Sequence, residues 1–265
     1  MKGPVMDGLG KYLKGFIEES KEEQVDVAEE LVKSGAEVVV NYLPVGSEQA
    51  VRWYAEQTLK AGCAFVNCMP VFIASDAGWQ KRFKEKKLPV AGDDVMSQIG
   101  ATVLHKTLAK LMVDRGVEVK ESYQLNIGGD TDFLNMLEEA RLISKRISKT
   151  SAVRAMIPYD VPLRIGPSDY VPFLDNKKIC YVYLKGEYFG GTPVQIDVKL
   201  DVWDSPNSGG VVIDVIRAAK IAMERGISGP LIGPSAFAFK HPPEQMPYEV
   251  AKRRFEEFLT GKRER

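Results

Sequence analysis

The sequence has 265 residues, of which 45% are hydrophobic and 27% are charged, enough for one large or two modest domains with a real core. Lysine plus arginine balance aspartate plus glutamate at 36 each, which excludes a general electrostatic field for nucleic acid or for an anionic membrane. No apolar run approaches the length of a membrane span, and no signal-peptide pattern is present. The three cysteines, Cys63, Cys68 and Cys180, lie in apolar, strand-like settings, which predicts buried free thiols in a reducing compartment. We therefore expect a cytoplasmic protein without a nucleic-acid or membrane partner.

The first half of the sequence alternates between strand and helix patterns. We predict helices over Glu22–Lys33, Glu48–Ala61, Asp76–Lys87 and Ser97–Asp114, and short apolar strands over Ala36–Tyr42, Ala64–Met69 and Leu88–Ala91. This alternation is typical of βαβ units around a parallel sheet, where ligands bind beyond the carboxyl ends of the strands. The loops LPVGS (43–47), PVFIASD (70–76) and GDDVMS (92–97) follow these strands, so we expect them at the binding edge.

The pattern changes after Gly116. The segments Val117–Leu125, Cys180–Leu184 and Val194–Val202 are predicted as antiparallel strands, with the helix Phe133–Ile147 on one face of their sheet. Such a layer is typical of an α+β domain. Further helices are predicted over Ser205–Gly226 and Met246–Leu259, separated by a Gly/Pro-rich segment, Gly229–Pro243.

The stretch Asn126–Lys149, NIGGDTDFLNMLEEARLISKRISK, contains the residue types best suited to ligand binding and catalysis. Its double glycine predicts a turn whose backbone N–H groups can face an anion. Asp130 and Asp132 follow, and Lys145 and Lys149 lie one helical turn apart, so that they project to the same side. These residue types predict a pocket for a small polyanion, with acids nearby for hydroxyls or a metal. From the residues alone, a capped helix with a solvated basic end explains the same pattern equally well.

Six motifs carry a resemblance to a known family: VNYLPVGSEQA (40–50), FVNCMPVFIASD (65–76), AGDDVMSQIGAT (91–102), YQLNIGGDTDFLNM (123–136), SKRISKT (144–150) and WDSPNSGG (203–210). They occur in order along most of the chain. On these motifs the sequence resembles the inositol-3-phosphate synthase (myo-inositol-1-phosphate synthase) family in its archaeal and bacterial form.

The resemblance implies an isomerase that converts D-glucose 6-phosphate into 1D-myo-inositol 3-phosphate, a step of inositol and phospholipid biosynthesis. In that reaction NAD oxidises the C5 hydroxyl, the ketone is enolised, the ring closes by an intramolecular aldol step, and the same NADH reduces the product. The partners it implies are a small sugar phosphate and three further copies of the chain, in a homotetramer.

The resemblance also implies an α/β fold. We expect a partial Rossmann-like parallel-sheet domain for NAD at residues 1–98 and 204–265, with an inserted α+β catalytic and tetramerisation domain of the dehydrogenase C-terminal-domain type at 99–203. The sequence contains no GxGxxG, so we expect it to lack the N-terminal glycine-rich NAD-binding segment of the family. The alternative to an active enzyme is an inactive truncated fragment or a non-catalytic subunit of an oligomer.

The catalytic residues implied by the resemblance are four lysines and two acids: Lys145, Lys149, Lys240, Lys178, Asp132 and Asp204. Lys185 is the alternative to Lys178 as the fourth lysine. The chemistry needs cations at the substrate phosphate and at the developing enolate oxygen. A lysine in a partly dry pocket also has a lowered pKa and can carry protons. The alternatives are a snorkelling side chain for Lys240 and a helix N-cap for Asp204.

Seven further residues are assigned to ligands by the resemblance. Asn126, Gly129 and Asp130 are expected at the substrate, and Asp94, Ser97, Gly46 and Ser75 at the cofactor. Asp130 is also the candidate ligand of a divalent cation (Mg²⁺, Mn²⁺ or Zn²⁺), because carboxylate oxygens suit such ions. The alternatives are a helix cap or an Asx turn for Asp130 and Asp132, a dipole-stabilised helix start for Asp93 and Asp94, and simple turns for Ser75 and Gly46.

Overall fold

The computed structural model describes residues 2–138 and 143–264. Its helices are α1 (Val27–Lys33), α2 (Glu48–Ala61), α3 (Ala77–Glu85), α4 (Ala101–Asp114), α5 (Thr131–Asn135), α6 (Ile143–Arg154), α7 (Asp204–Glu224), α8 (Ile232–Ala238) and α9 (Tyr248–Leu259). Its strands are β1 (Val38–Asn41), β2 (Ala64–Asn67), β3 (Pro89–Gly92), β4 (Glu118–Gly128), β5 (Leu163–Tyr170), β6 (Lys177–Tyr188), β7 (Thr192–Trp203) and β8 (Gly229–Pro230). None of the described helices combines the length and apolarity that crossing a membrane requires.

The strands β1, β2, β3 and β8 form a parallel sheet in that order. Strand β2 is buried along its whole length because helices cover both faces of the sheet. Ala64 and Val66 pack towards α7, whereas Phe65 between them packs towards α2 and α3. This arrangement produces the continuous apolar runs seen in the sequence, and it confirms the predicted α/β class.

The other four strands form a mixed sheet in the order β5-β4-β6-β7. The pairings β4–β6 and β6–β7 are antiparallel, as predicted, but β4 pairs in parallel with β5. The sequence does not predict β5, because Gly166 and Pro167 interrupt its pattern. Such residues are tolerated in a strand at the edge of a sheet. Helices α4 and α6 cover one face of this sheet, where Ala109 and Val153 pack near Val182.

Two predictions for the central stretch were wrong. The strand predicted to end at Leu125 runs on to Gly128, so the first residue of the double glycine lies in β4 and not in a turn. The single helix Phe133–Ile147 is instead two helices, because α5 ends at Asn135 and α6 begins at Ile143. Residues 139–142 lie outside the described part. Four consecutive residues from 133 to 136 are buried, which a helix packed on one face cannot achieve; the end of α5 is therefore a consequence of tertiary packing.

Gly129, predicted at the substrate, has no room for a side chain. A Cβ atom there would lie 2.4 Å from the backbone nitrogen of Asp175 and 2.8 Å from the carbonyl carbon of Leu174. Backbone atoms cannot rotate away, so we expect Gly129→Ala to lower the free energy of unfolding by about 1–3 kcal/mol. Gly15→Ala is the matched control, because nothing lies within 4 Å of its added Cβ. Equal losses for both variants in urea denaturation would contradict this packing.

Candidate active site

A cavity of about 330 Å³ lies where the carboxyl ends of β1, β2 and β3 meet α4, α6 and the inner face of β4. It is lined by Tyr42, Leu43 and Pro44 after β1, by Cys68 and Met69 after β2, and by Asp94, Val95, Met96 and Ser97 after β3. Four lysines also line it, namely Lys145, Lys149, Lys178 and Lys240; we call these the lysine cluster. The carboxyl edge of the parallel sheet thus faces the four positively charged side chains of the lysine cluster.

Asp94 lies at the centre of the cluster and is only 1% exposed. Its Oδ1 lies 2.9 Å from the Nζ of Lys240 and 3.5 Å from the Nζ of Lys145. The Ser148 hydroxyl donates to Oδ2 at 2.6 Å. Burial alone would raise the pKa of Asp94, but the two ammonium groups and the hydrogen bonds hold that pKa well below its usual range. Asp94 is therefore ionised and compensates two of the four cations.

The neighbouring Asp93 has a different role. Its fully buried carboxylate accepts hydrogen bonds from the backbone N–H groups of Ile73, Ala74 and Ser75, from the Ser75 hydroxyl at 2.7 Å and from the Asn67 amide at 2.6 Å. Burial raises the pKa of Asp93 to about 6, against the effect of these bonds. Asp93 thus ties the loop after β2 to the loop after β3. Neither acid begins a helix, since α4 starts at Ala101, so the helix-start alternative is wrong.

Lys145 and Lys149 share one side of α6 but differ in electrostatic setting. The Nζ of Lys145 lies 3.5 Å from Asp94 and 3.8 Å from Asp132. Burial alone would lower the pKa of Lys145, but the charges of Asp94, Asp132 and Asp204 outweigh it and raise that pKa above its ordinary value. Lys145 is therefore a permanent cation.

Lys149 is 4% exposed and has no hydrogen-bond or ion-pair partner among the described residues. Burial, together with the like charges of Lys145, Lys178 and Lys240, lowers its pKa from 10.5 to about 7, and the charge of Asp94 offsets only part of this shift. At neutral pH this amine is divided between its charged and neutral forms, as a proton carrier requires.

The other two lysines are each held by an acid. Lys178, on β6, lies 3.1 and 3.2 Å from the two carboxylate oxygens of Asp204, the first residue of α7. Lys240 donates to Asp94 and, at 2.6 Å, to the carbonyl of Val95, and burial is the main reason that its pKa is lowered. These contacts exclude the snorkelling alternative for Lys240.

Lys185 does not belong to the site. Its side chain is 47% exposed and lies 3.6 Å from Glu121, on the face of the mixed sheet opposite to Gln124. Of the two candidates for the fourth lysine, the structure therefore brings only Lys178 to the cavity.

The remaining predicted residues divide into two groups. Ser97, Asn126, Asp130 and Asp132 line the cavity, whereas Gly46, Ser75 and Gly129 are not among its lining residues. Ser75 is bound to Asp93, and Gly46 has a φ of 90° in the loop after β1, where glycine is favoured. Ser148 and Gln124 reach the site although the sequence analysis did not propose them. For Ser148 the available signal was its position three residues after Lys145 on the same helical face.

The acids of the site do not form a ligand set for a cation. Asp130 accepts from the backbone N–H of Phe133 as the cap of α5, Asp132 faces Lys145, and Asp204 is paired with Lys178. Within residues 2–138 and 143–264, no group of three or more His, Cys, Asp or Glu side chains could hold a metal ion. The divalent cation stays a prediction that these residues do not fit.

All three cysteines are free and buried. Burial raises the pKa of Cys68 to about 12 and that of Cys180 to about 11, so little of the nucleophilic thiolate exists at neutral pH. We expect the native protein to be inert to Ellman's reagent at pH 8 for many minutes, and to release three equivalents once guanidinium unfolds it. Rapid release of one equivalent from the native protein would contradict the burial of these thiols.

Comparison with known proteins connects this geometry to a family. The family Myo-inositol-1-phosphate synthase matches residues 100–205. Inositol-3-phosphate synthase of Corynebacterium glutamicum is 52% identical over 268 residues, which are 98% of this chain and 74% of the relative. The enzyme of that name from Mycobacterium tuberculosis is 52% identical over 263 residues, covering 98% of this chain and 72% of the relative.

A solved structure described as a myo-inositol-1-phosphate synthase-related protein from Thermotoga maritima matches with a TM-score of 0.78 and 28% identity. The match covers 90% of this chain and 71% of that one. Inositol-3-phosphate synthase from Caenorhabditis elegans matches with a TM-score of 0.73 at 18% identity, over 81% of this chain and 46% of that one; at that identity it supports the fold alone. Fold, motifs and close relatives agree, and the chain belongs to the inositol-3-phosphate synthase family.

Proposed function

We propose that this protein is an isomerase that converts D-glucose 6-phosphate into 1D-myo-inositol 3-phosphate by oxidation at C5, enolisation, intramolecular aldol closure and re-reduction. The observation that carries the proposal is the lysine cluster. Four lysines from α6, β6 and the segment after α8 converge on one cavity around Asp94, and of these four only Lys149 has no acid partner among the residues that the structure describes. A dianionic sugar that develops an enolate during the reaction needs such a cationic site.

The cavity offers two kinds of donor to the substrate phosphate. The start of α4 lines it at Gly100, Ala101 and Thr102, and no side chain caps this helix. The free N–H groups of a helix start favour an anion, and the lysine ammonium groups add full charges. We place the phosphate between the start of α4 and the lysine cluster, with Ser97 beside it.

The two lysines of α6 take different parts in the reaction. Lys145 stays protonated beside Asp94 and Asp132, so it stabilises negative charge on the substrate oxygen during enolisation. Lys149, with a pKa of about 7, gives and accepts the proton of that oxygen. Asn126 and Asp132 orient the sugar hydroxyls.

The carboxyl edge of the parallel sheet fits the nicotinamide end of NAD. Apolar groups of Leu43, Pro44 and Met69 line that edge beside Asp94, as expected where a doubly wound sheet binds a dinucleotide. When bound, NAD supplies the hydride acceptor for the oxidation and the hydride donor for the re-reduction. The loops after β1, β2 and β3 would hold the reacting end of the cofactor.

We also propose a cytoplasmic homotetramer that assembles through the open face of the mixed sheet. That face exposes Tyr123, Leu125 and Tyr181 at 36–40%, and Tyr123 stacks on Tyr183 with centroids 4.8 Å apart. A contiguous apolar and aromatic sheet face of this kind is typical of a subunit interface.

The direct test is to incubate the protein with D-glucose 6-phosphate and NAD and to follow the phosphorus resonances by NMR. We expect the inositol phosphate signal to appear without net accumulation of NADH. Calorimetry with glucose 6-phosphate separates the outcomes. Binding without turnover, with NAD present in excess, favours the non-catalytic alternative, whereas the absence of binding contradicts the proposed substrate.

A further inference from the structure

Beneath the cavity, polar side chains form a buried chain that reaches from α4 to the cavity lining. Ser122, Gln124 and Asn126 alternate along β4 and share its inner face, and His105 of α4 lies against them. All four side chains are at most 5% exposed. Gln124 and Asn126 line the cavity, and His105 is not among its lining residues.

The hydrogen bonds determine which way each amide points. The Asn126 amide nitrogen donates to the carbonyl of Gly166 at 2.8 Å, so its Oδ1 is the atom that accepts from the Gln124 Nε2 at 3.2 Å. The Oε1 of Gln124 is then the atom that faces the Nδ1 of His105, at 3.2 Å. Because a carboxamide oxygen only accepts, Nδ1 must carry the proton.

The other side of the imidazole is held as well. The Ser122 hydroxyl has a single proton, and both the Nε2 of His105, at 2.7 Å, and the carbonyl of Tyr183, at 2.5 Å, lie within hydrogen-bond distance of its oxygen. Burial lowers the pKa of His105 to about 4, so the ring is neutral at pH 7. A neutral ring that carries its proton on Nδ1 donates to Gln124. Each hydrogen bond from His105 through Gln124 and Asn126 to Gly166 then runs in the same donor-to-acceptor direction.

We propose that His105 is a positioning residue for the isomerase reaction: its Nδ1–H group fixes the orientation of Gln124, and through it that of Asn126, so that the cavity presents one defined pattern of donors and acceptors to the sugar hydroxyls. The identity of the bound sugar in this inference rests on the proposed function. The orientation of Gln124 and Asn126 rests on the hydrogen bonds alone. Without the donor at Nδ1, the Gln124 amide can turn over, and Asn126 loses its partner.

Two substitutions test the contacts of the two ring nitrogens of His105 separately. The amide nitrogen of asparagine reaches the place of Nδ1, so His105→Asn keeps the donor to Gln124. Glutamine reaches the place of Nε2, so His105→Gln keeps only the contact with Ser122. A buried amide that loses its hydrogen-bond partner without regaining water is left unsatisfied, which weakens the arrangement that binds the sugar. We expect the Kd for glucose 6-phosphate and its KM to rise about tenfold in His105→Gln, and by less than about threefold in His105→Asn.

Thermal unfolding of both variants provides the control, because each variant loses the same imidazole ring. If the role of His105 were purely structural, both variants would lose stability and substrate affinity to the same extent. Equal changes in Kd for the two variants overturn the proposal. A second measurement needs no substrate: the chain has only two histidines, so its ¹⁵N imidazole spectrum is simple, and His105→Gln assigns it. We expect the His105 proton on Nδ1 at pH 7, and a proton on Nε2 alone overturns the assignment. If the unmodified protein fails to bind glucose 6-phosphate, the proposed function fails. The nitrogen spectrum still decides which ring nitrogen of His105 carries the proton, and so whether His105 donates to Gln124.

Discussion

Lys149→Met is expected to remove activity while making the protein more stable. The substitution deletes the proton carrier, and general acid–base groups contribute about 10²- to 10⁴-fold to rates, so we expect kcat to fall by at least that factor. It also replaces a buried cation that has three like charges around it with an apolar side chain of similar length. Such replacements stabilise proteins by about 1–4 kcal/mol.

The stability gain should depend on pH in a defined direction. The pKa of Lys149 falls from 10.5 in the unfolded chain to about 7 in the folded one, so folding releases a proton between these values. The wild type therefore loses stability as the pH falls from 10.5 to 7, and its full penalty is present below 7. Guanidinium denaturation should show the largest advantage of Lys149→Met at pH 6, and a smaller one at pH 9.

Lys185→Met is the matched control, because that lysine is on β6 outside the cavity and is 47% exposed. It should leave both turnover and the pH dependence of stability close to those of the wild type. Turnover by Lys149→Met at more than a tenth of the normal rate would remove this lysine from the mechanism. A variant less stable than the wild type at pH 6 would show that Lys149 is better compensated than its contacts indicate.

Asp94→Asn is expected to produce the opposite change in stability. The carboxylate compensates Lys240 at 2.9 Å and Lys145 at 3.5 Å from a position that is 1% exposed. Removing one partner of a buried pair leaves uncompensated charge and costs about 3–5 kcal/mol. Activity should be lost as well, because both lysines lose the acid that positions them.

The pH dependence follows from the lowered pKa of Asp94. A depressed carboxylate contributes stability above its unfolded value of 3.8 and loses that contribution as the pH falls further. In thermal unfolding, the wild type should therefore keep its advantage over Asp94→Asn from neutrality down to pH 3.8, and lose it progressively as the pH falls below 3.8. Asp160→Asn is the control, since its side chain is fully exposed and an exposed ion pair is worth little.

The double variant Asp94→Asn/Lys149→Met tests both effects together. Because the two groups interact through the same cluster, their effects should not add. We expect Lys149→Met to stabilise the Asp94→Asn background by more than it stabilises the wild type, since without Asp94 the remaining lysines repel Lys149 with no carboxylate to offset them. Strict additivity in urea denaturation would mean that the two side chains do not share one electrostatic site.

Local patterns in the sequence determined much of the parallel sheet. Helix α2 has the predicted bounds, Glu48–Ala61, because Gly62 ends it in the left-handed conformation with a φ of 77°. Strand β2 was predictable from its composition, since a strand buried on both faces is mainly apolar, as Ala64, Phe65 and Val66 are. The motifs were long enough to identify the family, and the one-turn spacing of Lys145 and Lys149 placed both on one face of α6.

Other features depend on contacts between distant segments, which no local pattern encodes. Strand β5 depends on its pairing with β4, and the end of α5 depends on packing that buries four consecutive residues. The difference between Lys145 and Lys149 has the same origin. Both are lysines on one helix, but the loop after β3 brings Asp94 within 3.5 Å of Lys145, whereas Lys149 forms no ion pair with any described residue. The pKa of a buried amine is determined by the charges that the fold places around it, so the sequence alone determined that the two lysines lie together, and only the tertiary structure decided which of them can carry a proton.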